Sequence, residues 1–367
     1  MRDIDRHAIQ ACVVDAISLL HLYESARMHP QAPLLFQGLV APFSMYVVES
    51  HNCVTTVDPR LRSWFEDVDV GLLRSSRHRA KLLDYKSISD VTQELLAIAR
   101  QQQEFFNASH VGLLAPLKKA LQGDLGFSIC EGHLFWTTHE TIYSFGDQDA
   151  TGENALAFGE AFGRYIGGLL AIFAIHPEAV SGHLPALGEV EMRDIKYPAL
   201  YGRGRLGRAG MDVGVGLVLI LSAANLCRYV IQKVLPPGNL ARLRLLFLTA
   251  FHCIAGMTAI QDGLLARRDG ADAARLVLRE ALSHPDARWI RRHGHLRNLL
   301  THYLVDARLE PLVEGLSTRE AIVARLAGMP LVDLEALVER YLGHVSQTLE
   351  SGFDLLGRDP FWYGKVS

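Results

Sequence analysis

Apolar residues recur every three to four positions along most of the 367-residue chain, a period that predicts helices. Ile4, Ala8, Ala11, Cys12, Asp15 and Leu19 share one face of a helix over 3–27, and further helices are expected over 87–106 and 153–175. Beyond residue 210 the same period predicts helices at 211–234, 239–267, 271–283, 286–308, 318–327 and 332–356. Pro236-Pro237-Gly238 separates the first two of these, and Ser317 with Glu320 reads as a capping box for the fifth. Two stretches depart from the pattern. "LLFQGLVAPFSMYVVES", within 33–60, is rich in β-branched and aromatic residues and predicts a strand or two. "GFSICEGHLFWTTHETIYSF" (126–145) predicts a β-hairpin turning near Glu131-Gly132.

The segment 177–210 is rich in Pro and Gly and carries no long period, which places a domain boundary there. The expected fold is predominantly all-α: an N-terminal helical domain with a small β-hairpin (1–205) and a C-terminal helical bundle (206–367). Composition agrees with packed domains, at 49% hydrophobic and 21% charged residues. The net charge of −3 excludes a protein that binds nucleic acid over its whole surface. Basic residues nevertheless cluster at 74–81 ("RSSRHRAK"), 203–208 ("RGRLGR") and 288–297.

Five cysteines with no CxxC spacing argue against a disulfide framework or a zinc knuckle. "MRDIDRHAIQ" at the start lacks an apolar signal-peptide core, so a reduced, cytoplasmic setting is expected. The mean hydropathy of +0.12 raises the question of a membrane. A span needs about 20 apolar residues. The candidates 165–175 and 213–227 are shorter, while 243–260 contains His252 and closely follows Arg242 and Arg244. All three read as buried core helices, with no membrane partner expected.

Several motifs fail on context. Gly202-x-Gly204-x-x-Gly207 matches a dinucleotide fingerprint, but no apolar strand precedes it, and a mobile basic loop is the expectation. His133, His139 and Glu140 invite a metal reading but lack the second histidine of a zincin helix, so a satisfied structural pair is expected. No GxSxG elbow or Walker loop appears, and neither a metal nor a cofactor is expected.

"RRHGHLRNLLTHYLV" (291–305) holds the remaining chemistry. On one continuous helix, at about 100° per residue from Asn298, Arg291 falls near 20°, His302 near 40° and His295 near 60°. Trp289, Leu296, Leu300, Tyr303 and Leu304 form the opposite, apolar stripe, and Arg297 sits on the flank. Imidazole takes and gives protons near neutrality. Guanidinium matches phosphate oxygens and never loses its charge, and an amide donates to a phosphoryl oxygen without adding negative charge. These are the parts of a metal-free attack on a phosphodiester.

Arg297-Asn298-x-x-x-His302 resembles the R-polar-x(3–5)-H signature of the HEPN superfamily of α-helical bundles, many of them metal-independent ribonucleases of toxin, antiviral and abortive-infection systems. The resemblance covers about 211–356, and those six residues are its only sharp part. It implies an endoribonuclease whose composite site is completed across a homodimer and which cleaves RNA by activating the 2′-hydroxyl. Arg297 would bind the scissile phosphate, Asn298 would position it and His302 would transfer the proton. Arg288, Arg291, Arg292 and His295 would contact the substrate. Arg2-Asp3-x-x-x-His7 and Arg279-Glu280-x-x-x-His284 fit the same spacing, but each puts a carboxylate one turn from the histidine, where it would repel a phosphate. Tyr303 directly follows His302, unlike the toxins paired with nucleotidyltransferases, whose tyrosine comes two residues after the histidine. On this reading the N-terminal half senses a signal, contacts a regulatory protein partner or restrains the nuclease. The competing expectation is a non-catalytic helical scaffold whose basic cleft binds a nucleotide, nucleic acid or acidic protein partner.

Overall fold

A computed structural model describes residues 3–74, 88–108, 122–145, 152–175, 185–265, 271–306, 308–316 and 318–355. Over these residues the fold is predominantly α-helical with one three-stranded antiparallel sheet. The basic run after Arg74, Ser317 and the aromatic tail at 360–364 lie outside the described residues.

Helices α1 (Asp3–Arg27) and α2 (Ala32–Val57) form a hairpin. α2 corrects the strand expectation for 33–60. Leu35, Leu39, Phe43, Val47, Val48 and Val54 are all buried, and enclosure of this kind overrides β-propensity. Pro42 lies inside α2. Having no N–H, it deprives the Gly38 carbonyl of its usual helical donor.

After α3 (Ile88–Ala108), strands β1 (Leu125–Cys130) and β2 (His133–Thr137) form the expected hairpin. Glu131 and Gly132 both take positive φ (52° and 85°), as a two-residue type I′ turn requires. The hairpin ends sooner than its sequence suggests. Thr137 accepts the Glu140 N–H and donates to the Glu140 carboxylate, opening α4 (Thr138–Phe145). His139 and Glu140 therefore lie on a helix. α5 (Gly152–Ile172) follows, and β3 (Val190–Ile195), from within the Pro- and Gly-rich segment 177–210, pairs with β1 to give the order β2-β1-β3.

Two short helices, α6 (Tyr197–Tyr201) and α7 (Gly204–Gly207), hold the glycine motif. It is not a loose basic loop. A Cβ on Gly207 would come within 2.1 Å of the Gly202 backbone, and one on Gly214 within 1.8 Å of the Tyr201 carbonyl oxygen. Glycine is used here for close backbone approach.

α8 (Met211–Leu226) is apolar all round and sits at the centre of the structure. It meets β2 and α3 on one side, and α9 (Leu240–Leu265) and α15 (Leu331–Gly352) on the other. A π turn, Cys227–Ile231, carries it on to Val234. Buried Asn225 donates to the Leu134 carbonyl and to Glu350, which is also bonded to His133 at 2.7 Å. At the start of α9, buried Arg242 pairs with Glu335 (2.7 Å) and Glu339 of α15. α10 (Asp272–Ser283) lies against α9 and α15. One continuous cluster of buried apolar residues extends from Ala8 to Leu355. All five cysteines are free and buried.

Glu140 makes a pH test of this packing. Burial raises its pKa to about 8 against the hydroxyl bonds from Ser222 and Thr137 that pull it down. A carboxyl whose folded pKa exceeds its unfolded value stabilises the fold fully below the unfolded pKa and loses that contribution as pH rises through the folded one. Its share of stability therefore falls between pH 4.5 and about 8, by at most about 1.4 kcal/mol per pH unit. Neighbouring His139, pushed by burial down to about 4, acts in the opposite sense below pH 6.5. Urea midpoints of the wild type and Glu140→Gln across pH 5–9 isolate the carboxyl: the variant should gain on the wild type as pH rises, and parallel curves would refute this.

Candidate functional site

The expected helix 286–308 is two helices and an extended exit: α11 (Pro285–Arg292), α12 (Gly294–Thr301), then His302 at φ −103°, ψ 141°. His293 makes the first break. Its ring stacks on Trp289 at 3.7 Å between centroids, and its Nδ1 donates to the Trp289 carbonyl at 2.8 Å. The second break is made from outside. α13 (Glu310–Val313) and α14 (Arg319–Ala327) follow the exit, and buried Arg319 donates to the carbonyls of Leu299 (2.6 Å) and His302 (2.7 Å). It thereby satisfies acceptors that a helix end leaves open. Thr318, which accepts from Ala321 N–H, is the cap of α14.

These breaks change which residues meet. Arg288, Arg291 and Arg292 are exposed on α11 and do not line the groove formed by the motif; the Arg291 charge lies near Tyr341 instead. Arg297 does line it, beside Asn298, His302 and His295, because the exit from the helix carries His302 round to the arginine's side. The groove has a volume of about 930 Å³ and runs between α12 with its exit and the last two turns of α2.

His302 is 48% exposed at the groove wall, with Nδ1 2.7 Å from a carboxylate oxygen of Glu49, which is only 5% exposed. When the carboxylate is ionised it only accepts, and the pairing then puts the proton on Nδ1 and leaves the lone pair of a neutral ring on Nε2. Asn52 and Thr56, one and two turns further along α2, line the same groove. Arg297 donates from Nη1 to the Asn298 side-chain oxygen at 3.0 Å, and its guanidinium lies 5.8 Å from the Phe251 ring. His295 donates from Nε2 to the Leu326 carbonyl at 3.1 Å. Asp306 and Arg308 line the groove beyond His302.

Behind the wall lies a buried charge cluster. Asp15 of α1 accepts from the Tyr303 hydroxyl at 2.7 Å and pairs with Arg244 of α9 at 2.5 Å. The Arg244 guanidinium stands 4.0 Å from the Tyr303 ring. Burial and the neighbouring Arg244 lower Arg319 to about 10, which leaves it charged at neutrality. The residue after the motif histidine is thus tied to the core through its own side chain.

The expected metal candidates are engaged otherwise. His133 pairs with Glu350 and stacks on Tyr229 at 4.0 Å, while His139 bonds the Tyr201 hydroxyl at 2.8 Å. No cluster of three metal-ligating side chains occurs among the described residues. Glu49 went unmarked in the sequence, although a lone carboxylate in a long apolar run has to find a buried partner. Comparisons with protein-family profiles, with curated proteins and with solved structures found no match.

Removing one member of a buried ion pair leaves an uncompensated charge, at a cost of about 3–5 kcal/mol. Asp15→Ala should lose that much in chemical denaturation, and Tyr303→Phe only about 1 kcal/mol. Equal, small losses in both would show that the cluster does not hold the groove wall.

Proposed function

We propose that the chain is a metal-independent endoribonuclease in which His302 transfers the proton. The observation that carries this reading is the pairing of His302 with buried Glu49 in a groove that also holds Arg297 and Asn298. In the neutral ring, Nε2 would take the proton of a ribose 2′-hydroxyl as its oxygen attacks the adjacent phosphorus. Glu49 would hold the tautomer and stabilise the imidazolium that forms, the part a carboxylate plays behind a catalytic histidine elsewhere. Arg297 would take the charge of the phosphoryl oxygens, turning from Asn298 to do so, and Asn298 would position the phosphate. The leaving 5′-oxygen needs a proton from a second group, which a second copy of the motif in a homodimer would supply. RNA is the partner on this reading, and a toxin-like or antiviral effector role follows from the resemblance alone.

The arrangement also favours a second reading. Arg297 is bonded to Asn298 and His302 to Glu49, so the groups are already engaged as they would be in a non-catalytic scaffold with a polar cleft.

Single-stranded RNA incubated with the purified chain in excess EDTA separates the two. Cleavage should occur, with His302→Ala and Arg297→Ala each lowering the rate at least about 10²-fold. Glu49→Gln should lower it less and alter the pH–rate profile. Cleavage that persists in both alanine variants sinks the assignment. Salt-dependent RNA binding without cleavage, weakened in Arg297→Ala but not in His302→Ala, selects the scaffold.

A further inference from the structure

Away from the groove, α2, α8 and α9 enclose a second cavity of about 140 Å³. Its floor is apolar and buried: Leu226, Ile231, Leu248, Cys253, Trp136 and Tyr143. The helices present partly exposed residues along its other side, Ala41 and Met45 from α2, Leu219 and Ala223 from α8, Thr249 and His252 from α9. Each pair is spaced three or four residues apart, so one stripe of each helix borders the opening.

Native interiors hold few voids larger than a water molecule, and keeping one open forgoes packing. Here both irregularities of the long helices lie on the cavity wall. Pro42 and Gly38 line it from α2; Cys227 and Ile231 line it from the π turn of α8. π turns inside α-helices often mark functional sites. Gly38 adds to the room, since a Cβ there would come within 3.0 Å of the Leu226 side chain.

We propose that this cavity is a binding site for a small, uncharged, largely apolar molecule, a single aromatic ring or a hydrocarbon of similar size. The volume sets the size, since an apolar protein cavity of about 150 Å³ takes up benzene. The wall sets the chemistry. Its one carboxyl group, Glu140, is held by the hydroxyls of Thr137 and Ser222. It also stays mostly protonated at neutral pH, because burial lifts its pKa to about 8. An ammonium would therefore enter without a counter-charge, and an anion would meet only the His252 imidazole at the opening. The site is independent of the ribonuclease reading.

Trp136 provides the signal, its indole fixed by a 2.8 Å bond to Thr141. Iodobenzene, a neutral ring carrying a heavy-atom quencher, should quench part of the tryptophan emission of the intact chain saturably, and calorimetry should give the same affinity. Trp136→Phe should abolish the saturable quenching, which assigns the signal to this cavity. Ala223→Phe should fill the space and abolish both with the circular dichroism unchanged, and Ala41→Phe serves if that variant misfolds. 4-Iodobenzoate and 4-iodobenzylammonium should bind at least about tenfold more weakly, each tenfold being about 1.4 kcal/mol. No saturable binding, equal binding in a filled variant, or equal binding of either ion overturns the proposal. So does saturation by a micellar detergent in preference to iodobenzene, which would mark a lipid-facing surface.

Discussion

A carboxylate and two guanidinium groups enclosed by apolar side chains must each find a partner, and the arrangement around the groove follows from that. Asp15, Arg244 and Arg319 come from three helices far apart in sequence, and each is under 7% exposed. Asp15 binds Arg244 and Tyr303, while Arg319 spends its donors on the carbonyls at the end of α12. Isolated ions in such surroundings would cost several kcal/mol apiece, so the helices cannot slide independently without exposing the mismatch. The motif histidine leaves its helix where this cluster ends the helix. Its position is thus inherited from the core beneath it and owes little to its own helical propensity.

The second organising constraint is the apolarity of α2, α8 and α9. With α8 taken through its π turn to Val234, each is long and apolar enough to cross a bilayer by length and composition, with mean hydropathies of 1.2, 1.8 and 1.7 over their most apolar windows. Of those windows, 67%, 78% and 67% is buried against the rest of the chain. Hydropathy records how much a helix avoids water, and the structure identifies what most of each helix avoids it with. Two of the segments that raise the membrane question in the sequence, 213–227 and 243–260, fall in α8 with the first residue of its π turn and in α9. The third, 165–175, falls at the end of α5, and α2 takes its place.

Helix positions were legible because the 3.6-residue period survives wherever one face meets solvent; α1, α10 and α15 begin and end close to the expected residues. The errors have physical causes that can be named. In α2 the period is lost because most faces are buried, and composition then resembled a strand. At 138–145 the helix start was written in the sequence as Thr137-x-x-Glu140, a capping pair hidden by the neighbouring aromatics. The breaks at His293 and His302 were illegible for a different reason: they depend on a ring stacked on Trp289 and on Arg319, more than a dozen residues further along the chain. A wheel drawn through an unbroken helix therefore gathered Arg291 with His302 and left Arg297 aside. The structure reverses both placements.

Glu49 also refines the electrostatic argument that singles out one arginine–histidine motif among three. A carboxylate one helical turn from the histidine, in the competing matches, would stand beside an incoming phosphate and oppose it. Glu49 is 5% exposed and bonds Nδ1 of the ring from the α2 wall of the groove, so little of its carboxylate meets solvent. On the groove's open side Arg297 is bonded to Asn298, and Arg308 is paired with Asp306 at 3.5 Å. What decides whether an acid beside a histidine hinders or assists is which nitrogen it binds and how much water it sees. Neither quantity is a spacing in the sequence. Both are fixed here by α2, the helix whose earlier turns wall the apolar cavity and whose later turns support the groove.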